Sequence, residues 1–415
     1  MKDRENAKTA ATPNVTRGEQ MLALRKKRMA AAPPILRGGF RPFFFGAASW
    51  AVIAIALWVF ALAGQLVLPT AFDAIAWHRH EMLFGFVGAA VAGFVLTAIP
   101  NWTGRLPIAG NPLLALFGLW FAARVAVLFS AAASLWVAAI FDVGLFVTLG
   151  AMAAREVIAS KNRNLPIVGL VLVFGLADAA DYAGAVGLVS PDLGWRGAIS
   201  LVIIMISVIG GRIIPSFTRN WMAKQGEKKA LPTQPQPLDL LVIVTVALAL
   251  IFWLAFPDVQ LTGFILMLAS AAQLLRMSRW GGIRTFSDPL VVILHVGYLW
   301  VPVGLMLLGL SIAGVDLPRS AGVHALTAGA MSTMILAVMT RASLGHTARE
   351  LKASPVTVLS YVCVTIGALL RVTASAGVGP YGPMLDAAGA FWGAALLLFA
   401  IAYYPVLWGP RLGER

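Results

Sequence analysis

The chain has 415 residues, of which 59% are hydrophobic and only 12% charged, and its mean hydropathy is +0.83. Soluble domains carry about 25% charged residues, so an ordinary soluble domain is excluded. The net charge of +14 would suit nucleic acid, but the basic residues are spread over many segments with no recognition motif beside them. Membrane lipid is the expected partner, not nucleic acid.

Residues 1–37 are polar and basic and are expected to form a mobile or interfacial N-terminal arm. Its Arg25-Lys26-Lys27-Arg28 run has no apolar core directly after it, which argues against a cleaved signal. From residue 38 the composition turns apolar. A bilayer-crossing helix needs about 20 mainly apolar residues. Twelve segments qualify, near 42–64, 80–101, 112–130, 133–153, 166–187, 196–216, 238–256, 261–276, 289–312, 320–341, 355–376 and 385–407. Their apolar runs are continuous, not alternating, which selects helices over a barrel. The fold class is therefore all-α: a polytopic integral membrane bundle of about twelve transmembrane helices. The boundary at Ser130–Ser134 is soft, and the eighth segment is short.

A charged, Pro-rich linker at 224–237 divides the first six helices (42–216) from the second six (238–407). No motif repeats between the halves, so a single integral domain over 38–410 is preferred to a two-repeat transporter. With a cytoplasmic N-terminus, 27 of the 32 Lys and Arg residues fall on the cytoplasmic side. That asymmetry places both termini inside, as in a multi-pass protein of the bacterial inner membrane. The single cysteine, Cys363, excludes an intrachain disulfide and a covalent c-type haem motif.

Five histidines carry the chemistry: His78, His80, His295, His324 and His346. Ionisable groups within apolar spans are functional candidates by default, and imidazole suits haem iron or copper. His78 and His80 open the second span from outside, and His324 opens the tenth from the same side. His295 lies about 9 Å into the ninth span from the inside, at about 1.5 Å per residue. His346 follows the inner end of the tenth span, about 33 Å along the axis from His324, so those two cannot share a metal. Residues i and i+2 of a helix point to different sides. One of His78 and His80 can thus be an axial haem ligand, and the other a ligand to a second metal or a supporting donor.

His324 would supply the opposing haem ligand, with Met331 on its face. Glu81, expected on the His78 face with Met82, is the candidate for proton delivery or for orienting an imidazole. Hydrated interfacial histidines are the alternative for the outer group. For His295 the alternative is a core histidine bonded to a carbonyl, and for His346 a helix-end role. Asp178 and Asp181 share a face of the fifth span. Arg124 and Asp142 suggest a structural ion pair, and Arg371 has no evident partner. The segment Gly210–Asn220 is expected to end the sixth span with a kink and to offer basic side chains to lipid phosphate or a haem propionate.

Five ordered motifs add a resemblance. Gly38-Gly39-Phe40-Arg41-Pro42-Phe43-Phe44-Phe45, Trp77-His78-Arg79-His80-Glu81-Met82-Leu83-Phe84-Gly85, Gly211-Arg212-Ile213-Ile214-Pro215, His295-Val296-Gly297-Tyr298 and Thr340-Arg341-Ala342-Ser343-Leu344-Gly345-His346 together resemble the NnrS family. The resemblance implies a haem- and copper-containing membrane protein associated with nitric oxide, denitrification and defence against nitrosative stress. It makes His78, His80, Glu81, His295, His324 and His346 candidate metal-site residues, and Arg41, Arg212 and Arg341 candidate pocket residues. Two positions depart from the family pattern: Arg79 stands where a small residue is usual, and Ala177–Tyr182 lacks a histidine found on the fifth span of relatives. The expected ligand is nitric oxide or a small nitrogen-oxide species, with haem-dependent nitric oxide oxidoreductase activity as the enzymatic form of the reading. A redox enzyme driven by quinol or another electron donor, and a metal-free transporter or channel, are the alternatives. Oxygen reduction at a haem–copper centre is not expected, because the His-Pro-Glu copper motif of the oxidases is absent.

Overall fold

In lipid every backbone amide must be paired within its own segment, and the chain meets this demand with helices. The computed structural model describes residues 30–228, 231–232 and 236–414, with Gln20, Ala23, Leu24 and Lys27 before them. Most of the basic arm, including Arg25, Lys26 and Arg28, and positions 229, 230 and 233–235 of the linker lie outside the described residues. Among the described residues, twelve helices are long and apolar enough to cross a membrane. They are α1 Phe40–Leu62, α2 Ala74–Thr103, α3 Asn111–Leu128, α4 Leu135–Ala159, α5 Leu165–Ala185 and α6 Leu193–Lys224, then α7 Pro237–Ala255, α8 Gln260–Ser278, α9 Pro289–Ile312, α10 Arg319–His346, α11 Pro355–Ser375 and α12 Tyr381–Trp408. The chain is a multi-pass membrane protein, and no strand occurs among the described residues.

Local sequence explains where these helices begin. Proline stands in the first turn of α3, α5, α7, α9 and α11, where its missing N–H costs nothing. Asp73 caps α2 by accepting from the amides of Ile75 and Ala76, both at 2.9 Å, and Ser354 caps α11 in the same way. Because the Asp73 cap sets α2 six residues earlier than the apolar run suggests, His78 sits inside the helix.

Two further expectations are corrected. Pro215 does not end the sixth span: α6 continues through it to Lys224 over 32 residues, about 48 Å at the standard rise. His346, expected just beyond the inner end of the tenth span, is instead the last residue of α10, in keeping with its helix-end alternative.

Neighbours in sequence pack as neighbours in space, and α12 closes against α1. The middle of the bundle is held by α2, with 78% of its apolar window buried, and by α6, α9 and α10 at 67% each. Both ends of the described chain meet on one face of the bundle, where Arg37 Nη1 lies 3.2 Å from Glu414 Oε2.

Two of the central helices are irregular at corresponding places. In α2 the turn Glu81–Val87 is π-helical, and in α10 so is Ala325–Met331. Each begins immediately after a histidine, His80 in one case and His324 in the other. Such single-turn widenings of an α-helix concentrate at functional sites.

Candidate functional site

The N-terminal turns of α2 and α10 face one another across a cavity of about 700 Å³, walled also by α1, α6, α11 and α12. Its walls are largely apolar, among them Trp58, Met82, Phe86, Met331 and Trp392, and into them are set His78, His324, Arg79, Arg371 and Tyr381. That volume lies within the range of about 300–1,000 Å³ typical of ligand and cofactor sites. His78 stacks on Trp58, with ring centroids 4.5 Å apart and planes 18° from parallel. Its Nδ1 is buried without a hydrogen-bond partner among the described residues. His324 Nδ1 lies 2.7 Å from the carbonyl oxygen of Ser320. A carbonyl can only accept, so Nδ1 carries the proton, and the lone pair of the neutral ring is on Nε2. Both imidazoles and the Arg371 guanidinium line this one cavity.

The helical-side argument for His78 and His80 agrees with the coordinates. His78 turns toward the cavity, whereas His80 turns the other way, between α4 and α5, with none of its surface exposed. There its Nδ1 lies 3.0 Å from Asp181 Oδ2 and its Nε2 3.0 Å from Asp142 Oδ2.

Glu81 is not on the cavity face. It lies behind α2, where it accepts from Trp50 Nε1 at 2.6 Å and from Arg124 Nη1 at 2.5 Å. Arg124 also ion-pairs with Asp142, so the expected Arg124–Asp142 pair is present with Glu81 as a third member. Tyr182 donates to the same Asp142 oxygen at 3.2 Å. Gly85 is what allows this approach: a Cβ there would lie 2.7 Å from Arg124 Nη1 and 2.9 Å from Trp50 Nε1.

The remaining candidates do not line the large cavity. His295 Nε2 is 2.9 Å from Thr218 Oγ1, and its ring packs near Trp280. His346 is exposed, with its ring 5.6 Å from that of Phe40. Arg41 is buried and donates to the carbonyls of Leu407 at 2.8 Å and Gly409 at 2.6 Å, tying α1 to the end of α12. Arg341 lies 4.0 Å over the Phe217 ring, and Arg212 is exposed.

The structure thus brings His78, His324 and Met331 together, puts His80 and Glu81 in a separate charged cluster, and leaves the other five apart. Sequence reasoning did not place Trp58 or Tyr381 in a site. It left Arg371 without a partner, whereas its guanidinium contacts Ser375 and lines the cavity. An arginine in an apolar span was the available signal for it.

No curated protein matches the chain. A protein-family model described as "NnrS protein" matches residues 34–411, nearly its whole length. The chain therefore belongs to the NnrS family, membrane proteins linked to the nitric oxide response.

Proposed function

We propose that the cavity between α2 and α10 binds one haem without a covalent link, that His78 and His324 would hold its iron, and that the protein handles nitric oxide or iron-nitrosyl species in the bacterial inner membrane. The observation that carries this reading is the pairing of two free imidazole nitrogens on one apolar cavity of cofactor size. His324 is held in the tautomer that offers Nε2, because its Nδ1–H donates to the carbonyl oxygen of Ser320. A hydrogen bond of this kind fixes ring orientation and raises ligand basicity. His78 is held by its stack on Trp58 and makes no competing bond at Nδ1.

Much of the rest of the lining, Asp386 excepted, fits the same group. Trp58, Phe86 and Trp392 give broad apolar faces for a porphyrin, and Arg79, Arg371 and Tyr381 give cationic and hydroxyl partners for its carboxylates. A bound haem supplies an iron that takes nitric oxide when ferrous. The chain's own part is to hold the two imidazoles, to pair the propionates and to keep bulk water from the iron. A second, wholly apolar groove, of about 90 Å³, runs along α2, α6 and α10 below the cavity and shares Val87 with it. Nitric oxide is small and uncharged, and such a groove presents it with no polar barrier from the lipid side.

Copper is a poorer match to the residues present. The single group of three candidate donors among the described residues, His80, Asp142 and Asp178, holds one imidazole and no thiolate, whereas copper sites favour imidazole and sulfur. No step is assigned to copper. Roles in denitrification and in defence against nitrosative stress both follow from nitric oxide binding.

The test is a nitric oxide titration of the reduced, detergent-purified protein, followed by absorption. A saturable shift of the Soret band at one nitric oxide per haem is expected. A haem-loaded protein whose spectrum nitric oxide leaves unchanged would contradict the proposal.

A further inference from the structure

Behind α2, on the side away from the large cavity, four carboxylates stand together inside the bundle. Glu81, Asp142, Asp178 and Asp181 come from α2, α4 and α5, and each is no more than 3% exposed. One permanent cation, Arg124, reaches Glu81 and Asp142. A protonated His80 would add one more positive charge. That still leaves two negative charges in a low-dielectric interior, where unpaired charge is costly.

The hydrogen-bond inventory sharpens the imbalance. Glu81 Oε1, Asp142 Oδ1, Asp181 Oδ1 and both oxygens of Asp178 are buried with no hydrogen-bond partner among the described residues. Asp178 is the extreme case, being fully buried with neither oxygen engaged. Protonation would neutralise it but would leave its O–H without an acceptor. Yet one of its oxygens, one ring nitrogen of His80 and one oxygen of Asp142 all lie within 4.8 Å of one another. Asp178 therefore stands near both without hydrogen-bonding to either, an arrangement that suits a shared ion. Donors on a tetrahedral ion with bonds of about 2.0–2.2 Å stand about 3.3–3.6 Å apart, so a small inward movement of Asp178 completes the set.

From this geometry we infer a non-haem divalent metal site formed by His80, Asp142 and Asp178, taking an ion that accepts mixed imidazole and carboxylate ligation, such as zinc or manganese. His80 is already arranged as a metal-binding imidazole. Its Nδ1 faces Asp181 at 3.0 Å, the carboxylate–histidine contact that fixes a ligand tautomer, and this turns the Nε2 lone pair toward Asp142. Arg124 and Tyr182 hold Asp142 from outside the donor set. A divalent ion brings the cluster close to neutral. The site does not depend on haem in the neighbouring cavity, because His78 and His80 point to opposite sides of α2.

The experiment is metal analysis by mass spectrometry on full-length protein purified without chelator, comparing wild type, Asp178→Asn and His324→Ala. One equivalent of a non-haem divalent ion per chain is expected in the wild type and in His324→Ala, with at least a tenfold loss in Asp178→Asn. No such ion in the wild type after incubation with zinc or manganese, or equal content in Asp178→Asn, overturns the site and leaves protons as the neutralising species. A second readout needs no variant. Manganese(II) titrated into chelator-treated wild type should lose its free-ion paramagnetic resonance signal up to one ion per chain and regain it on zinc addition. An undiminished signal overturns the site even where Asp178→Asn fails to fold.

Discussion

At the scale of single residues, the buried charges set the largest expected effects. Arg124 has no exposed side-chain surface and serves both Glu81 and Asp142. Removing one partner of a buried pair strands the other, at a cost of about 3–5 kcal/mol. Arg124→Met should therefore lower the thermal unfolding midpoint in detergent sharply. A midpoint within a degree of wild type would show that Glu81 and Asp142 do not depend on it. By contrast, the Arg37–Glu414 pair is solvent-accessible, and Glu414→Gln should cost less than about 1 kcal/mol. The sequence already separated His78 from His80, because two residues along a helix turn the side chain away whatever the tertiary fold. It misplaced Glu81, because three residues of helix leave its side chain about 60° round from His78, far enough to meet Trp50 and Arg124 and not the cavity. Nothing local signals which neighbours that offset meets.

At the scale of elements, glycine contacts decide how closely helices approach. Gly322 on α10 sits so near α9 that a Cβ would fall 2.5 Å from the Leu308 amide nitrogen. Overpacking typically costs about 1–3 kcal/mol. Gly322→Leu should thus push α10 away and displace His324, two residues further on, so haem retention should fall with stability. Gly118 on α3 has no atom within 4 Å of an added Cβ, and Gly118→Ala should be neutral or slightly stabilising. Equal destabilisation by both changes, in parallel thermal melts, would contradict the packing assigned to α10. Helix number and order were legible because each apolar run is long enough to cross a bilayer. The ends were not, because capping by Asp73 and continuation through Pro215 depend on residues outside the apolar windows.

At the scale of the whole molecule, the charge asymmetry and the meeting of Arg37 with Glu414 give the bundle one basic face near which both of these residues lie. The positive-inside rule predicts a cytoplasmic location for that face. Reporter fusions after Lys224 should be active only for a cytoplasmic reporter, and fusions after Asp192 only for an external one. The reverse pattern would invert the topology and move the cavity between α2 and α10 to the inner leaflet. The cavity itself could not be read from the sequence. Helices α1, α2, α10, α11 and α12 meet around it only because α12 closes against α1, a long-range contact with no local pattern. What composition and spacing did reveal was that ionisable side chains lie within apolar spans, and several of these gather in the cavity and in the charged cluster behind it.

The most direct measurement is haem content per chain in purified wild type, His78→Ala, His324→Ala, His295→Ala and His346→Ala, each checked for monodispersity. The predicted result is about one haem in the wild type, retention in His295→Ala and His346→Ala, and loss or a displaced Soret band in His78→Ala and His324→Ala. A haem-free wild type after haem-sufficient expression, or loss confined to His295→Ala or His346→Ala, would contradict haem binding between α2 and α10.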